Sequence, residues 1–303
     1  MASFIDEHRT ELGVEPICRT LQVAPSTYYA VKHREQQPSE RARRDAVLMP
    51  ILLALWVANA KVYGAEKLWK AARRAGHDLG RDQVARLMRE LGICGVTRRR
   101  RVFTTRQDPE ALRAPDLVKR NFSADRPDVL WVTDLTYVPT RSGMAYVCFI
   151  VDAFSRMIVG WRVAAHMRTD MVLDALEMAR VHRGVRRLVG LVTHSDAGSQ
   201  FTSVRFTERL AEIGAAPSIG TVATSFDNAL AETINGLYKA ECVYGPDANG
   251  WDDVSHLELA TLSWVQWFNE ARLHSHCGDV PPVEFEAAFY AAQQADQSVV
   301  GIQ

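Results

Sequence analysis

Three acidic residues occupy positions from which their carboxylates could act together. Asp134 lies within the alternating run WVTDLTYV, and Asp196 ends the run LVTHSD. Glu232 lies in NALAETINGLYKAE, where apolar residues recur at helical spacing. A carboxylate at a strand end is costly unless a cation meets it, and carboxylate oxygens are ligands that Mg²⁺ prefers. The three acids are therefore candidate metal ligands.

The segments around these acids predict a mixed sheet. Alternation and turn residues indicate five strands, over residues 129–140, 144–155, 156–166, 186–196 and 216–220. Helical spacing indicates four helices, over residues 169–184, 203–215, 228–244 and 251–273. If the first and fourth strands are neighbours, Asp134 and Asp196 reach one end of the sheet. The expected fold class is α/β, with a mixed five-stranded sheet flanked by helices.

Several motifs follow one another in an order known from one family. WVTDLTYV, HSDAGSQF and AETINGLYKAE carry the acids, with 35 residues between Asp196 and Glu232 (232 − 196 − 1). WFNEARLHSHCGDVPPVEFE is similar to the same family's C-terminal signature. Over roughly residues 40–290, the chain resembles the second-reading-frame transposase of the IS-three family of bacterial insertion sequences, which has a retroviral-integrase-like D-D-E core.

The resemblance implies a fold, a cofactor and an activity. The sheet would be ribonuclease-H-like and would follow an all-α helix-turn-helix DNA-binding region. Asp134 would bridge two Mg²⁺ ions, with Asp196 on one, Glu232 on the other and Mn²⁺ as a substitute. Two ions can stabilise the attacking and leaving oxygens of a phosphodiester together. The implied enzyme binds the ends of an insertion element, nicks them and joins the 3′-OH to DNA.

Other residues are expected near this site. Asn228 and Lys239 share the helix face of Glu232, about 40° and 20° away from it. Lys239 matches a family position expected to contact the DNA end, the alternative being an ordinary surface lysine. Asn228 is a further candidate DNA contact, and His194 either touches DNA or orders the turn at Asp196. The resemblance also implies three supporting residues that pack near the active site: Asn269, Arg272 and His274.

Basic residues are concentrated in the first part of the chain. Lys and Arg outnumber Asp and Glu by 24 to 16 over residues 1–130, whereas the remaining counts are 12 and 20. Residues 61–106 hold thirteen basic residues and four acidic ones. This balance favours a phosphate-contacting surface over a merely solvated face. Its predicted DNA contacts are Arg86, Arg98, Arg99, Arg100 and Arg101.

Composition and proline breaks divide the chain into five segments. The predicted segments are an N-terminal helical segment that could be a helix-turn-helix (1–37), a basic helix-turn-helix domain (42–106), a linker (107–127), an integrase-like catalytic core (128–290) and a C-terminal tail (291–303). Whether the first of these segments contacts DNA stays open at this point.

Some classes of protein are excluded. No apolar run approaches the roughly 20 residues of a membrane span, and the N-terminus lacks a signal core. The five cysteines include no C-x-x-C pair, which argues against a zinc finger and a disulfide framework. We therefore expect a cytoplasmic, nucleoid-associated protein with reduced thiols.

Two alternatives compete with a transposase. A ribonuclease-H-like, structure-specific nuclease would share the fold and the metals, and a DNA-binding regulator could carry a decayed core. The basic helical region favours end-specific DNA binding, and the three acids argue against decay. Expected partners are the element's terminal repeats and target DNA, other copies of the chain in a homo-oligomeric synaptic complex, and the upstream-frame product, by fusion or association.

Overall fold

The computed structural model describes residues 1–97, 114–220 and 228–300, with side chains up to residue 297. Four of the predicted DNA contacts, Arg98, Arg99, Arg100 and Arg101, lie outside these ranges. No helix within the described ranges is long and apolar enough to cross a membrane.

A small helical unit begins the chain. It contains α1 (Ala2–Leu12), α2 (Val14–Thr20) and α3 (Pro25–Gln36). Four buried side chains form its core: Ile5, Ile17, Cys18 and Tyr28. The Tyr28 hydroxyl donates a hydrogen bond to Asp6 Oδ1 at 2.7 Å. The predicted N-terminal helical segment therefore has a core of its own.

A second helical unit follows after a break of only three residues, 37–39. It contains α4 (Glu40–Ala58), α5 (Ala65–Arg74) and α6 (Arg81–Leu91). Ser39 caps α4, since its Oγ accepts a hydrogen bond from the Ala42 N–H at 3.2 Å. Helix α6 ends at Gly92, whose φ of 68° is a conformation that glycine adopts readily. Helix α4 therefore starts two residues before the predicted boundary at residue 42.

The remainder of the chain is built on one sheet. Its strands are β1 (Leu130–Thr140), β2 (Gly143–Asp152), β3 (Ile158–Ala164), β4 (Val192–Ser195) and β5 (Ala216–Ile219). The order is β3-β2-β1-β4-β5. Pairings among the first three strands are antiparallel, whereas β4 pairs in parallel with β1 and β5. The predicted mixed five-stranded sheet is confirmed, and β1 and β4 are neighbours.

Helices cover both faces of this sheet. Helices α7 (Thr169–His182) and α8 (Val204–Ile213) pack on the face that carries Trp131 and Ile150. Helices α9 (Ala229–Tyr238) and α10 (Val254–Glu270) pack on the opposite face, with Val132 and Phe149. The predicted helix over residues 228–244 is α-helical only to Tyr238. A single π-helical turn, Lys239–Val243, follows it and is called the π-turn below.

Helix α11 (Pro282–Val300) closes the described part of the chain. Glu286 of α11 forms a buried ion pair with Arg183, the residue that follows α7. Phe154 packs against Phe285 and Phe289, with ring centroids 5.1 and 4.9 Å apart. The helix therefore runs without a break into the stretch predicted as a C-terminal tail.

Candidate active site

Helix α9 is fastened to strand β1 beside Asp134. Asn235 Nδ2 donates a hydrogen bond to Asp134 Oδ2 at 2.9 Å. Asn228 Nδ2 donates to the carbonyl oxygen of Thr133 at 3.0 Å. Asn228, Glu232 and Asn235 are spaced by four and three residues, so they share one face of the helix. Two asparagines thus hold this face of α9, including Glu232, against β1.

Asp196 continues the strand register beside Asp134. The parallel pairs are Trp131 with Thr193 and Val132 with His194, so the next alternate residues on the two strands lead to Asp134 and Asp196. Asp134, within β1, therefore lies beside Asp196, which directly follows the end of β4.

A tight turn orients the Asp196 carboxylate. The Gly198 N–H donates a hydrogen bond to Asp196 Oδ1 at 3.1 Å. A Cβ on residue 198 would lie 3.0 Å from that oxygen and 3.1 Å from Gln200 Oε1. A larger residue here would require these two side chains to move by a few tenths of an ångström.

The three carboxylates influence one another's charge. Burial raises the pKa of Asp134, and the negative charges of Asp196 and Glu232 raise it further. The Leu135 N–H and the Asn235 amide act in the opposite direction on the same pKa. Burial is also the main cause that raises the pKa of Asp196, and the charge of Glu232 adds to it. The site is an acidic cluster in which ionisation is unfavourable without a compensating cation.

The acidic cluster is not closed into a coordination shell. Within residues 1–97, 114–220 and 228–300, no three His, Cys, Asp or Glu side chains converge tightly enough to hold a metal ion. Like charges repel each other, so the carboxylates are not expected to draw together without a cation between them.

Lys239 is the first residue of the π-turn. Its Nζ lies 4.8 Å from the centroid of the Tyr137 ring, and Tyr137 is three residues beyond Asp134 on β1. Tyr137 is 43% exposed. Lys239 therefore lies alongside β1 at a partly open surface.

Two predicted DNA contacts are buried instead. His194 is 1% exposed, and its Nδ1 lies 2.9 Å from Ser218 Oγ. Phe122 packs edge-on against the His194 ring at 5.7 Å. Asn228 is 7% exposed and bonds to β1. Both side chains are buried between the sheet and its flanking chain, so neither is exposed for the direct DNA contact that was expected of Asn228 and was one of two alternatives for His194.

Arg86 is held by acidic neighbours within the second helical unit. Its guanidinium donates to both carboxylate oxygens of Asp45 at 2.8 and 2.9 Å, and to Glu90 at 2.7 Å. Arg86 therefore joins α6 to α4 and has its charge engaged by acidic neighbours, and the phosphate contact expected of it stays a prediction. Other basic residues counted toward this surface also pair with acids: Lys61, Lys70, Arg74 and Arg81.

The C-terminal signature bonds to β3, α10 and the π-turn. Asn269 accepts a hydrogen bond from the Ile158 N–H and donates to the Ile158 carbonyl, both at 2.9 Å, on β3. Strand β3 is two strands removed from β1. His274 Nε2 lies 3.3 Å from the Phe268 carbonyl, and Arg272 pairs with Glu241 of the π-turn. These residues brace β3, α10 and the π-turn that continues the Glu232 helix, and their expected packing near the active site stays a prediction.

The contacts of two further residues, Asn235 and Tyr63, were not predicted from the sequence. Asn235 is a polar residue on the buried face of α9, three residues after Glu232, and this position could have indicated it. Tyr63 lies in the second helical unit, and its hydroxyl accepts a hydrogen bond from the Leu273 N–H at 2.8 Å. No local pattern relates Tyr63 to a residue 210 positions away.

Comparison with known proteins relates this chain to a family. Residues 124–225 and 214–282 match two family models described as integrase core domain, and residues 42–101 match one described as HTH-like domain. The chain is 50% identical over 277 residues to the putative transposase for insertion sequence element IS986/IS6110 of Mycobacterium tuberculosis, which covers 90% of this chain and 98% of that protein.

Two further relatives agree. The transposase for IS629 of Shigella sonnei is 45% identical over 295 residues, covering 96% of this chain and 97% of that protein. Transposase InsF for IS3A of Escherichia coli is 27% identical over 290 residues, covering 93% of this chain and 97% of that protein. The chain belongs to the IS3 family of transposases.

This transposase is also similar to a solved integrase structure. The HTLV-2 integrase catalytic core domain, solved in complex with magnesium in a trimeric form, is 17% identical with a TM-score of 0.41. The match covers 54% of this chain and 98% of that chain.

Family membership decides between the functions that the sequence left open. The protein is a DNA transposase with an integrase-type catalytic core and a helix-turn-helix-like region, rather than a structure-specific nuclease. Its activity is that of a polynucleotidyl transferase, and its partner is DNA.

Proposed function

We propose that this transposase is a Mg²⁺-dependent enzyme whose ligands are Asp134, Asp196 and Glu232. The observation that carries the proposal is the placement of the three acids: β1 and β4 are neighbours, and the Asn235–Asp134 hydrogen bond ties the Glu232 helix to β1. Burial and the charges of the other two acids also raise the pKa of Asp134. Such a cluster is stabilised when divalent cations neutralise it. We further propose that Asp134, Asp196 and Glu232 would together hold two ions, for which Mn²⁺ could substitute.

The donor set fits this metal. Carboxylate oxygens are hard ligands, and Mg²⁺ is usually held by one or two carboxylates together with water and substrate phosphate. Three carboxylates from β1, the end of β4 and α9 therefore provide enough protein ligands for two ions that share a DNA phosphate. When bound, the ions stabilise both the attacking and the leaving oxygen of in-line displacement.

The chain's own residues prepare the site. Asn235 and the Leu135 N–H favour the ionised form of Asp134 and fix its orientation. The Gly198 N–H does the same for Asp196. The carboxylates of Asp134 and Asp196 are thus held in place before the substrate arrives, which lowers the cost of assembling the reacting groups.

DNA would be held by residues outside the acidic cluster. We propose that Lys239 contacts the phosphate beside the cut, since its ammonium lies near the surface end of β1. We also propose that residues 42–106 bind the element's terminal repeats, with contributions from Arg98, Arg99, Arg100 and Arg101. An open groove between α4 and α6 is a further, net basic surface of this unit, and its charged lining is Arg41, Arg44, Arg86, Arg89, Glu40 and Asp82.

The full reaction would nick the element ends and join the 3′-OH to target DNA in the nucleoid. Two ends must meet for this, so we propose a homo-oligomer in the synaptic complex. We also propose association with, or fusion to, the product of the upstream frame. The domain boundaries predicted from the sequence, residues 1–37, 42–106, 107–127 and 128–290, define the working units of this proposal.

A substitution at Glu232 tests the proposal. Glu232→Gln keeps the side chain's shape but offers a weaker Mg²⁺ ligand, so nicking of a labelled element end should fall at least a hundredfold while end binding persists. The matched control is Glu258→Gln, which changes a surface acid paired with Arg162 and should nick normally. Nicking by Glu232→Gln at the wild-type rate would refute the metal-ligand assignment.

A further inference from the structure

Helix α5 and the turn before it dock the second helical unit on the catalytic core. Three ion pairs cross this boundary: Lys61 with Asp247, Lys70 with Asp279 at 2.9 Å, and Arg74 with Glu284 at 2.7 Å. All three involve partly or fully exposed side chains, so each contributes little by itself.

The centre of the boundary is buried. Tyr63 is 1% exposed, and its hydroxyl accepts the hydrogen bond from the Leu273 N–H. The Leu273 side chain belongs to the hydrophobic core of the second helical unit, although it lies in the C-terminal signature. The Trp267 ring lies 6.1 Å from the Tyr63 ring. The helical unit and the catalytic core therefore share one continuous apolar contact.

Arg272, the residue before Leu273, connects the Tyr63 contact to the π-turn. Arg272 Nε lies 2.9 Å from Glu241 Oε2 and Nη2 lies 2.6 Å from Glu241 Oε1. Both side chains are almost fully buried, 4% and 5% exposed. Glu241 is two residues from Lys239 in the same π-turn. At the other end of Lys239, the Tyr238 hydroxyl lies 2.7 Å from Thr261 Oγ1 in the core.

π-Helical turns are rare and occur frequently at functional sites. Here the turn is pinned on both sides of Lys239, by Tyr238 in the core and by Glu241 on Arg272. The chain of contacts Tyr63–Leu273–Arg272–Glu241 therefore joins the DNA-binding helical unit to the turn that carries Lys239. We call this chain of contacts the coupling bridge.

We propose that Tyr63 and Arg272 are positioning residues of the coupling bridge. They set the distance and orientation between DNA held by the helical unit and the carboxylates, so that the terminal phosphate arrives beside Lys239. This inference rests on the proposed roles of Lys239 and the three acids. It assigns to the C-terminal signature a task in aligning DNA rather than in holding metal.

Tyr63→Phe tests the bridge in the full-length protein. The substitution keeps the ring against Trp267 and removes only the acceptor of the Leu273 N–H. Affinity for a duplex of the element end should stay within twofold of wild type, while single-turnover joining by the preformed complex should fall roughly tenfold or more, because a displaced substrate reacts poorly. The matched control is Tyr28→Phe, which removes a buried hydroxyl bonded to Asp6 and should join normally.

Site-specific crosslinking measures which nucleotide lies beside residue 239. A simple loss of stability would lower the yield of crosslinking without changing that position. Lys239→Cys is prepared with the two cysteines that are not buried, Cys94 and Cys242, replaced by serine. The parent should capture one terminal nucleotide, whereas adding Tyr63→Phe should spread capture over neighbouring nucleotides. Arg272→Lys, which keeps the charge and loses the planar fork, should produce the same spread to a smaller degree.

Two results would overturn the inference. One is wild-type joining and single-nucleotide capture in Tyr63→Phe. The other is a loss of end binding equal to the loss of joining, since the bridge would then support only the fold of the helical unit. Failure of the underlying function is distinguishable, because Glu232→Gln would then nick as well as wild type in the same assay.

Discussion

Asn235 on α9 donates a hydrogen bond to Asp134 on β1, and the two heavy atoms are 2.9 Å apart. The bond joins the helix that carries Glu232 to the strand that carries the first acid. It also favours the ionised form of a carboxylate whose burial and acidic neighbours favour protonation. One amide thus sets both the geometry and the charge of the proposed metal site.

The first prediction concerns this amide. Asn235→Leu keeps a side chain of similar size and removes the donor, so Asp134 loses both orientation and stabilisation of its charge. Hydrogen bonds to charged groups contribute about 1.5–3 kcal/mol, so nicking should fall roughly tenfold to a hundredfold. Single-turnover nicking of a labelled end measures this. The control is Asn121→Ala, at an exposed position, which should nick normally. Equal nicking rates for Asn235→Leu and wild type would show that Asn235 does not support Asp134 in catalysis.

A second prediction concerns the turn at Asp196. Gly198→Ala places a methyl group 3.0 Å from Asp196 Oδ1, so the carboxylate must move by a few tenths of an ångström or more. We expect at least a tenfold loss of nicking with end binding preserved. Gly80→Ala is the control, since a Cβ there has nothing within 4 Å. Equal activity of the two alanine variants would show that Asp196 tolerates displacement.

The sheet and its acids could be predicted because their signals are local. Alternation in WVTDLTYV and the turn after Asp196 identify two strands, and the chain order permits them to be neighbours, as the sheet shows them to be. The helix with Glu232 follows from its apolar spacing. The resemblance to a family added the metal and the expected role of each acid.

Contacts between distant segments could not be predicted in this way. His194 carries no local sign that Ser218 and Phe122 will bury it. Arg86 was counted as a free charge, but Asp45, 41 residues earlier, holds it. The basic count over residues 61–106 therefore overstated the charge open to DNA. The same limitation hid the contact of Tyr63 with Leu273.

A third prediction concerns Lys239. Lys239→Ala should weaken end binding and joining together while metal affinity is retained, because no carboxylate changes. Lys239→Arg should restore only part of both, since a planar guanidinium replaces a compact ammonium. Binding and joining assays on the same labelled end measure both effects. Lys119→Ala, at an exposed position, is the control. If Lys239→Ala binds and joins like this control, the lysine is an ordinary surface residue.

A fourth prediction concerns stability below neutral pH. Burial lowers the pKa of His274 to about 2, and the Arg272 charge adds to the effect. Below the ordinary pKa of 6.5, the unfolded chain binds a proton that the folded protein does not. This site should therefore reduce the free energy of unfolding by about 1.4 kcal/mol per pH unit as the pH falls below 6.5, and not above it.

Urea unfolding of His274→Gln at several pH values tests this. The variant should lose less stability than wild type between pH 6.5 and pH 4.5, whatever its stability at pH 8. His33→Gln, at an exposed position on α3, should keep the wild-type pH dependence. Parallel stability curves for wild type and His274→Gln would mean that His274 is protonated in the folded protein.

Metal binding tests the central claim most directly. Mn²⁺ is titrated into the full-length protein bound to an element-end duplex, and free Mn²⁺ is measured by electron paramagnetic resonance. Wild type should bind about two ions per active chain, whereas Asp134→Asn, which removes one of the three proposed ligands, should bind fewer than one at the same concentrations. Equal Mn²⁺ binding by wild type and Asp134→Asn would contradict the assignment of these carboxylates as the metal site.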